Sequence, residues 1–227
     1  MNSAIILLSG GLDSVVSLAK LKNKYSRILA LTFNYGQKSF LSEKIASEKI
    51  SEFYSIEHKI IDLDWLSQIS TSSLNTSEQV PNVSIDDLDV INTDINFSNS
   101  VWVPNRNGLF INIAACYADS YNYNSIIIGA NKEESATFKD NSKEFVNAIN
   151  LSLLNSTCSS VQVEAPLIDM TKEEIVKLGI DLNIPFKYIY SCYDDKLVHC
   201  KYCESCQRLI RALELNNRHD LIVEIFN

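Results

Sequence analysis

The chain has 227 residues, and its 46% hydrophobic content is enough for one sizeable core. Its 28 acidic and 20 basic residues give a formal charge of −8, which argues against a protein that grips a nucleic-acid backbone through a basic face. No apolar run is long enough to span a membrane, and the first residues lack the basic region and cleavage site of a signal peptide, so we expect a cytoplasmic protein without membrane or nucleic-acid partners.

Strand-like and helix-like stretches alternate along the chain. Continuous apolar runs predict strands at 4–8, 28–33, 59–63, 125–129 and 161–165. Apolar residues at helical spacing predict helices at 15–22, 41–53, 109–118, 145–153 and 171–179, the last opening with the spacing of a capping box. Because strands that are apolar on both faces are typical of covered parallel sheets, we predict an α/β fold. It is a Rossmann-like parallel sheet with helices on both faces.

One polar segment interrupts this alternation. Residues 67–100 are rich in Ser, Thr, Asn and Asp and contain no Lys, Arg or Gly. A connection of this length is unusual in a compact domain, so the segment is predicted to be a lid over a site or a solvated, partly disordered loop.

A glycine-containing loop follows the first predicted strand. Its sequence is Ser9-Gly10-Gly11-Leu12-Asp13-Ser14, and a helix begins directly after it. Two glycines allow a tight turn, the serine hydroxyls can donate to an anion, and the helix N-terminus adds partial positive charge. Asp13 would repel a phosphate, so we expect it to hold the loop or a magnesium ion. The pattern resembles the signature of the PP-loop ATP pyrophosphatases, which cleave ATP to AMP and pyrophosphate.

Four of the six cysteines lie close together near the C-terminus. They are Cys192, Cys200, Cys203 and Cys206. Two successive Cys-x-x-Cys steps allow the thiolates to converge on one ion, and four sulfur ligands leave no open position, so we predict structural zinc. His199 is expected to be a neighbour of this site. Cys116 and Cys158 have no nearby partner and are predicted to be small core residues.

The order of several motifs suggests a narrower family. The loop at 9–14 is followed by Thr32-Phe33-Asn34-Tyr35-Gly36-Gln37-Lys38, by Val103-Pro104-Asn105-Arg106-Asn107 and by the segment from Ser191-Cys192-Tyr193 to Cys206. Together they resemble the 7-cyano-7-deazaguanine synthase (QueC) family of the PP-loop ATP pyrophosphatases, almost from end to end. The resemblance divides the chain into a PP-loop domain at 1–190, including the polar loop at 67–100, and a zinc-binding segment at 191–227 packed on it.

The resemblance implies a defined reaction of the queuosine pathway. ATP adenylates 7-carboxy-7-deazaguanine, ammonia displaces AMP to give the amide, and a second ATP activates the amide so that the nitrile forms. The implied cofactors are ATP, Mg²⁺ and Zn²⁺, and the implied assembly is a homodimer. Such an enzyme is a carbon–nitrogen ligase that releases AMP.

Site residues follow from the motifs and the resemblance together. The predicted catalytic residues are Asp13, Ser14, Arg106 and Lys172, and the predicted substrate-binding residues are Arg106, Asn107, Gly129 and Asp140. ATP is expected to contact Ser9, Gly10, Gly11, Leu12, Asp13, Ser14, Thr32, Tyr35, Gln37 and Lys38.

The sequence departs from the family pattern in two places. The family usually has Ser-Gly-Tyr-Pro-Asp-Cys-Arg where this chain has residues 136–142, which keep only Asp140 in common, and it has glycine at the position of Asn105. A QueC-like ligase that joins a deazaguanine carboxylate to a protein amine, as in antiviral defence systems, is therefore an alternative. A non-catalytic module that binds nucleotide or deazaguanine is another. A PP-loop enzyme that modifies tRNA would need a basic extension, which this chain lacks.

Overall fold

A computed structural model describes residues 2–88, 95–194 and 196–227. Five strands form one parallel sheet: β1 (Ser3–Leu7), β2 (Arg27–Asn34), β3 (Glu57–Asp62), β4 (Ser125–Ile127) and β5 (Gln162–Glu164). Their order across the sheet is β3-β2-β1-β4-β5. The chain therefore winds outward in one direction from β1 to β3 and in the other from β4 to β5. In open α/β sheets, ligands bind where the strand order reverses, which here is at the carboxyl ends of β1 and β4.

Helices connect the strands and cover the sheet. Those in the described residues are α1 (Leu12–Leu21), α2 (Phe40–Tyr54), α3 (Asp64–Ile69), α4 (Ile95–Val101), α5 (Arg106–Tyr121), α6 (Lys132–Thr137), α7 (Lys143–Ser156), α8 (Lys172–Asp181), α9 (Glu204–Leu215) and α10 (His219–Phe226). Thr171 and Glu174 form the predicted capping box at the start of α8. None of the described helices combines the length and the apolar character that a membrane crossing requires.

The core lies on both faces of the sheet, as the fold class predicted. On β1, Ala4 and Ile6 contribute to one apolar cluster and Ile5 to the other, because successive side chains of a strand point to opposite faces. The first cluster also contains Leu209 and Leu213 of α9, so the C-terminal segment shares a core with the sheet.

The polar segment at 67–100 is more ordered than the sequence suggested. Ser72 and Leu88 are completely buried, and Leu74 belongs to the apolar core. Helix α3 extends into its start and α4 occupies its end, while 89–94 lies outside the described residues. The described part of the segment is therefore not a wholly solvated loop, because Leu74, Val83 and Leu88 belong to the apolar core and the hydroxyls of Ser70 and Ser72 accept hydrogen bonds from backbone amides.

The prediction for the two isolated cysteines was wrong, since Cys116 and Cys158 are both exposed. Cys116 lies on α5, whose buried face is formed by neighbours such as Ala114, Ala115 and Ala118. Because most residues of this helix are apolar or small, its sequence does not indicate which positions face solvent.

Candidate functional site

A cavity of about 250 Å³ opens at the point where the strand order reverses. The loop at 9–14, the ends of β1, β2 and β4, the start of α5 and the segment at 190–193 all line it. Of the predicted site residues, the cavity brings together Ser9, Gly11, Leu12, Asp13, Ser14, Tyr35, Arg106, Asn107, Gly129 and Lys172. Residues that are far apart in sequence thus face one space.

The loop at 9–14 is held in a tight turn by its own hydroxyl groups. Ser14 Oγ donates to the carbonyl of Gly11 at 2.9 Å, and Ser9 Oγ accepts from the Gly11 amide at 3.3 Å. Gly10 has φ +81°, and a Cβ atom there would lie 2.5 Å from the Cβ of Ala46, so only glycine fits. The turn leads directly into α1, whose N-terminus is suited to an anion.

Gly129 is also required by a close approach of the backbone. A Cβ atom at this position would lie 2.9 Å from the backbone nitrogen of Ser14. Gly129 follows β4, so its missing side chain lets the loop after β1 pack against the neighbouring strand. Gly129 therefore has two roles: it lets the loop at 9–14 pack closely against β4, and it forms part of the cavity wall.

A buried charge cluster lies against the loop. Lys172 Nζ is 2.6 Å from Asp13 Oδ2 and 3.2 Å from Glu134 Oε1, and Asn131 Nδ2 donates to Asp13 Oδ2 at 3.3 Å. Burial raises the pKa of Asp13 to about 6, although Lys172 opposes the shift. The other oxygen, Asp13 Oδ1, is buried and accepts no hydrogen bond from the described residues. A buried carboxylate oxygen without a donor is suited to a hard cation.

A second set of ion pairs connects this cluster to the C-terminal segment. The Lys172 amide donates to Glu133 Oε1 at 2.7 Å, and Arg208 Nη1 lies 2.7 Å from Glu133 Oε2. Arg208 also pairs with Glu204, which accepts a hydrogen bond from the Tyr193 hydroxyl at 3.0 Å. The start of α8 is therefore tied to α9 by buried charges that compensate one another.

The opposite end of the cavity is aromatic. The rings of Phe33 and Phe110 stack with centroids 4.1 Å apart, and Tyr35 packs against Phe110 at 5.4 Å. Arg106 Nη1 donates to the Tyr35 hydroxyl at 3.4 Å, and Arg106 Nε donates to Asn107 Oδ1 at 3.3 Å. Burial alone would lower the pKa of Arg106, but interactions with Tyr35 and Asp140 raise it, so the guanidinium stays charged. A planar aromatic group with an anionic substituent would match this end.

The departure at Asn105 is compatible with the backbone found there. Asn105 has φ +49°, in the left-handed region, which glycine favours and asparagine tolerates better than most other residues. Its side chain folds over Gly108, where a Cβ atom would lie 2.3 Å from Asn105 Oδ1. The turn that presents Arg106 thus keeps its shape without the family's glycine.

Some predicted ATP contacts do not line the cavity. Thr32 Oγ1 donates to the Leu8 carbonyl at 2.5 Å, Gln37 Nε2 donates to the Phe33 carbonyl at 2.9 Å, and Lys38 Nζ donates to the Glu78 carbonyl. Gly10, another predicted ATP contact, lies behind the loop. Asp140, which was predicted to bind the substrate, lines a smaller neighbouring cavity. In this structure Thr32, Gln37 and Lys38 shape the surrounding backbone, because each side chain is engaged by a nearby carbonyl.

Other lining residues were not among the predicted site residues. Glu43 contacts the cavity while Ser39 and Gln37 donate to its carboxylate at 2.6 and 3.0 Å, and burial raises its pKa. Ser191 Oγ accepts from the Leu12 amide at 3.3 Å. Glu134 lines the cavity beside Lys172. The sequence motif around Ser191 pointed to this region, but no local pattern indicated Glu43 or Glu134.

The four clustered cysteines form a candidate metal centre. The sulfur atoms of Cys192, Cys200, Cys203 and Cys206 lie within 4.8 Å of one another. Zinc–sulfur bonds of about 2.3 Å place tetrahedral sulfurs about 3.8 Å apart, and Cys200 and Cys206 Sγ are 3.9 Å apart. The Cys200 amide donates to Cys192 Sγ and the Cys203 amide to Cys200 Sγ, both at 3.3 Å. Such donors stabilise thiolates, so the set fits zinc.

His199 lies beside this centre, as expected. Its Nε2 accepts from the Ser191 amide at 3.1 Å, and its ring packs between Tyr190 and Phe226. The ring orients the backbone before Cys192. The Tyr190 amide in turn donates to the Gly10 carbonyl at 3.0 Å, so the cysteine centre is two residues away from a direct contact with the loop.

Comparison with known proteins agrees with this architecture. The model of the queuosine biosynthesis protein QueC family matches residues 3–217. The 7-cyano-7-deazaguanine synthase of Methanobrevibacter smithii is 45% identical and covers 96% of this chain and 95% of its own length. The synthase of Carboxydothermus hydrogenoformans is 46% identical and covers 93% of this chain and 98% of its own length. A 4-thiouridine synthetase solved with RNA and bound ATP is 19% identical, with a TM-score of 0.50 over 98% of this chain and 52% of that one.

The parallel sheet, with helices on both faces and a tight loop after β1, defines a Rossmann-like α/β protein. Within that class, the match over nearly the whole chain is decisive. The protein belongs to the queuosine biosynthesis protein QueC family.

Proposed function

We propose that the protein is an ATP-dependent carbon–nitrogen ligase that converts 7-carboxy-7-deazaguanine and ammonia to 7-cyano-7-deazaguanine through adenylated and amide intermediates. The observation that carries this proposal is that one cavity is lined by both the PP-loop and the half-buried Arg106. The curated relatives named above, which match nearly end to end, support the choice of substrate.

The loop end would bind the phosphates of ATP. The amides at the start of α1 and the hydroxyls of Ser9 and Ser14 face the cavity, and Lys172 supplies a buried positive charge beside them. These groups would stabilise the charge that develops as pyrophosphate leaves the α-phosphate. Asp13, through its unpaired Oδ1, and Glu134 would hold Mg²⁺, which offsets phosphate charge when bound.

The aromatic end would bind the deazaguanine. Phe33, Phe110 and Tyr35 offer ring surfaces for a flat bicycle, and Arg106 would pair with its carboxylate before adenylation. Asn107, next to Arg106, keeps the guanidinium oriented. With the carboxylate held next to the phosphate end, its oxygen can attack the α-phosphate, and the gain comes from positioning.

The four cysteines would hold zinc as a structural ion. They shape the segment whose Ser191 and Tyr190 contact the loop at 9–14. This role requires a closed coordination shell, which four sulfur ligands supply.

Product analysis tests the reaction. The purified protein is incubated with ATP, Mg²⁺, ammonium and 7-carboxy-7-deazaguanine, and the small molecules are identified by mass spectrometry. We expect AMP, amide and nitrile, all dependent on the carboxylate. Bound nucleotide without any AMP would instead support a non-catalytic module. AMP formation accompanied by a deazaguanine adduct on protein, with ammonium left unused, would support the ligase that acts on a protein amine.

The sequence of residues 136–142 favours a specific weakness in this reaction. This stretch departs from the family pattern, and it lies beside Arg106 through Asp140 and Asn141. Converting the amide to the nitrile requires a neutral amide, a weaker nucleophile, to be activated again, so it depends more strongly on positioning. We therefore expect rapid amide formation and slow or missing nitrile formation. A time course that separates acid, amide and nitrile decides this, and complete rapid conversion would mean that the substitutions are neutral.

A further inference from the structure

A second, smaller cavity adjoins the first on the side of Arg106. Its volume is about 50 Å³, compared with about 250 Å³ for the large cavity. Arg106, Glu134 and Tyr193 line both, so the two spaces are neighbours and share a wall. We call the smaller one the side chamber. It does not include the loop at 9–14.

The size of the side chamber limits what it can hold. A single water molecule needs roughly 10–15 Å³ of this kind of volume, so the chamber accommodates only a few molecules of that size. A deazaguanine ring or a nucleotide base is too large. Ammonia and ammonium have about the dimensions of water, and the proposed reaction consumes one of them.

The lining of the side chamber suits a small amine. Glu134 and Asp140 supply carboxylates, which accept hydrogen bonds from N–H groups, and Trp102, Phe138 and Tyr193 supply aromatic rings. Trp102 and Phe138 stack with centroids 6.4 Å apart. Carboxylates and aromatic faces are the groups that bind small cations in proteins.

The charges around the side chamber nearly cancel. Lys172 lies 3.2 Å from Glu134, and Arg106 lies close enough to Asp140 to lower its pKa, although burial of Asp140 has the larger effect and raises it overall. A cavity that is neutral as a whole does not trap a cation permanently. It can accept ammonium and release ammonia, provided that one carboxylate takes the proton.

Asp140 is the better placed of the two carboxylates for this proton. Its Oδ1 accepts a long hydrogen bond from Asn141 Nδ2 at 3.5 Å, and backbone hydrogen bonds from Asn107 and from Asp140 itself lower its pKa, although burial raises it overall. None of these donors is charged, whereas Glu134 is engaged by the ammonium group of Lys172. The Asp140 backbone is fixed by Asn107 Nδ2, which donates to its carbonyl at 3.3 Å. The side chain thus stands in the chamber on an anchored backbone.

Access from solvent is available at one wall. Trp102 is 36% exposed while it lines the side chamber, so this wall reaches the protein surface. The opposite wall, with Arg106, faces the large cavity. The side chamber therefore lies beside the large cavity, and its partly exposed wall does not include the loop at 9–14.

We propose that the side chamber is the binding site for the amine substrate, ammonium, and that Asp140 binds it and accepts its proton before ammonia attacks the adenylated carboxylate. This inference rests on the proposed function. In the step itself, ammonium gives one proton to the Asp140 carboxylate and the nitrogen lone pair forms the new C–N bond. The C–O bond to AMP breaks, AMP leaves with that electron pair, and the second proton lost by nitrogen passes to water with that of Asp140.

The first test removes the carboxylate. In Asp140→Asn we expect the apparent KM for ammonium to rise about tenfold, which corresponds to the loss of one charge-assisted hydrogen bond, and to rise more than the KM for ATP. The matched control is Asp181→Asn, at an exposed carboxylate at the end of α8, which should leave both constants unchanged. Circular dichroism and a thermal melt of each variant establish that it is folded.

The second test enlarges the chamber. Wild-type protein should use ammonium and discriminate against methylamine, and Phe138→Ala should raise the ratio of N-methylamide to amide at least about tenfold. Trp102→Ala, at a partly exposed position, serves as a second enlarging variant if Phe138→Ala does not fold. Phe53→Ala, at an exposed ring on α2, is the control and should keep the wild-type ratio.

The outcomes separate this inference from the reaction on which it rests. If wild-type protein makes amide while the Asp140 variant keeps its KM for ammonium and the enlarged variants keep the wild-type ratio, the side chamber is not the amine site and the reaction stands. If wild-type protein makes no amide from ammonium, the proposed function fails and the chamber assignment falls with it. A selective rise in the KM for ammonium together with the new N-methylamide supports both.

Discussion

The two ends of the large cavity differ in their side chains: one is lined by charged groups and the other mainly by aromatic rings. At the loop end, Asp13, Glu134 and Lys172 form a cluster of opposite charges in which Lys172 pairs directly with both carboxylates. At the aromatic end, apolar rings surround Arg106, whose guanidinium has no carboxylate within ion-pair distance among the described residues. One end is held together by direct ion pairs, whereas the cation at the other end interacts with the carboxylate of Asp140 only over a longer distance.

Under the proposed reaction, each end of the cavity matches a different substrate. A phosphate chain brings several negative charges, so its site needs cations and a place for Mg²⁺, with every group fixed before the ligand arrives. A deazaguanine carboxylate brings one charge on a flat ring, so one guanidinium above aromatic surfaces suffices. The loop end has support from two directions. The loop at 9–14 follows the buried strand β1, and on its other side it contacts Tyr190 and Ser191, which precede the cysteine centre.

The strongest test of the loop end is removal of its functional groups. Asp13→Ala and Ser14→Ala should each reduce AMP release by about a hundred- to a thousandfold while leaving the fold intact, because each removes a group that acts on the reacting phosphates. AMP release is measured by chromatography, with Asp181→Ala and Ser152→Ala, both at exposed helical positions, as controls. Near-normal AMP production by either loop variant would rule out the assignment of this loop.

The next test concerns the cysteine centre, which supports the loop at 9–14 without being part of it. We expect one zinc per chain, and in Cys203→Ser we expect metal, local order and AMP formation to be lost together, with a fall in melting temperature of about 10 °C. The sheet should persist, because the apolar cluster on its other face contains none of the four cysteines. Cys116→Ser and Cys158→Ser, at exposed cysteines, are the matched controls and should keep the metal. Metal-free native protein, or full occupancy in Cys203→Ser, contradicts a four-sulfur site.

The pH dependence reports on the charge cluster. Burial raises the pKa of Asp13 to about 6, so kcat/KM for AMP formation should fall as the pH drops through about 6 and Asp13 becomes protonated. Lys172 opposes this shift, so in Lys172→Met the midpoint should move to higher pH on a lower overall rate. Lys177→Met, at an exposed lysine on the same helix, should keep the wild-type midpoint.

The same pKa has a consequence for stability. The pKa of Asp13 is higher in the folded protein than its ordinary value of 3.8, so the folded state binds the proton more tightly than the unfolded state. The contribution of Asp13 to the free energy of unfolding should therefore decrease as the pH rises from about 4 to about 6. Urea unfolding of wild type and Asp13→Asn across this range measures it, and parallel curves would contradict the shift.

The smallest effect is expected at the turn before the aromatic end. Asn105→Ala should lower the free energy of unfolding by about 1 kcal/mol, because alanine tolerates the left-handed conformation less well than asparagine does. Asn105→Gly should change it by about 0.5 kcal/mol or less, because glycine accepts this conformation. Asn155→Ala, in the helical backbone of α7, is the control for loss of the amide alone. Equal values for the two Asn105 variants would mean that the backbone strain is unimportant here.

Much of the fold was predictable because its signals are local. Apolar runs alternating with helical spacing gave a parallel sheet covered on both faces, and the observed strands overlap each predicted one. The loop and the cysteine cluster were recognisable because each lies within a short stretch of chain. Where a pattern is short in sequence, backbone geometry alone brings its groups together, so no knowledge of distant packing is needed.

Local pattern was misleading where packing decides the environment of a residue. Thr32 and Lys38 lie close to the end of β2, as expected, yet their side chains bond to backbone carbonyls away from the cavity. Cys116 lies in an apolar helix and is nevertheless exposed. In the segment at 67–100, Leu88 is buried despite polar surroundings in sequence. Composition averages over both sides of an element, whereas burial distinguishes them.

The sequence by itself determined the class of fold, the turn at 9–14 and the cluster of four cysteines. Only the tertiary structure decided which groups complete the site. Lys172 reaches Asp13 across 159 positions of sequence, and Ser191 reaches the Leu12 amide across 179. Such pairs depend on the packing of every strand and helix between them, which no local pattern contains. The side chamber has the same origin, because its lining includes residues from α5, from α6 and the stretch after it, and from the segment before α9.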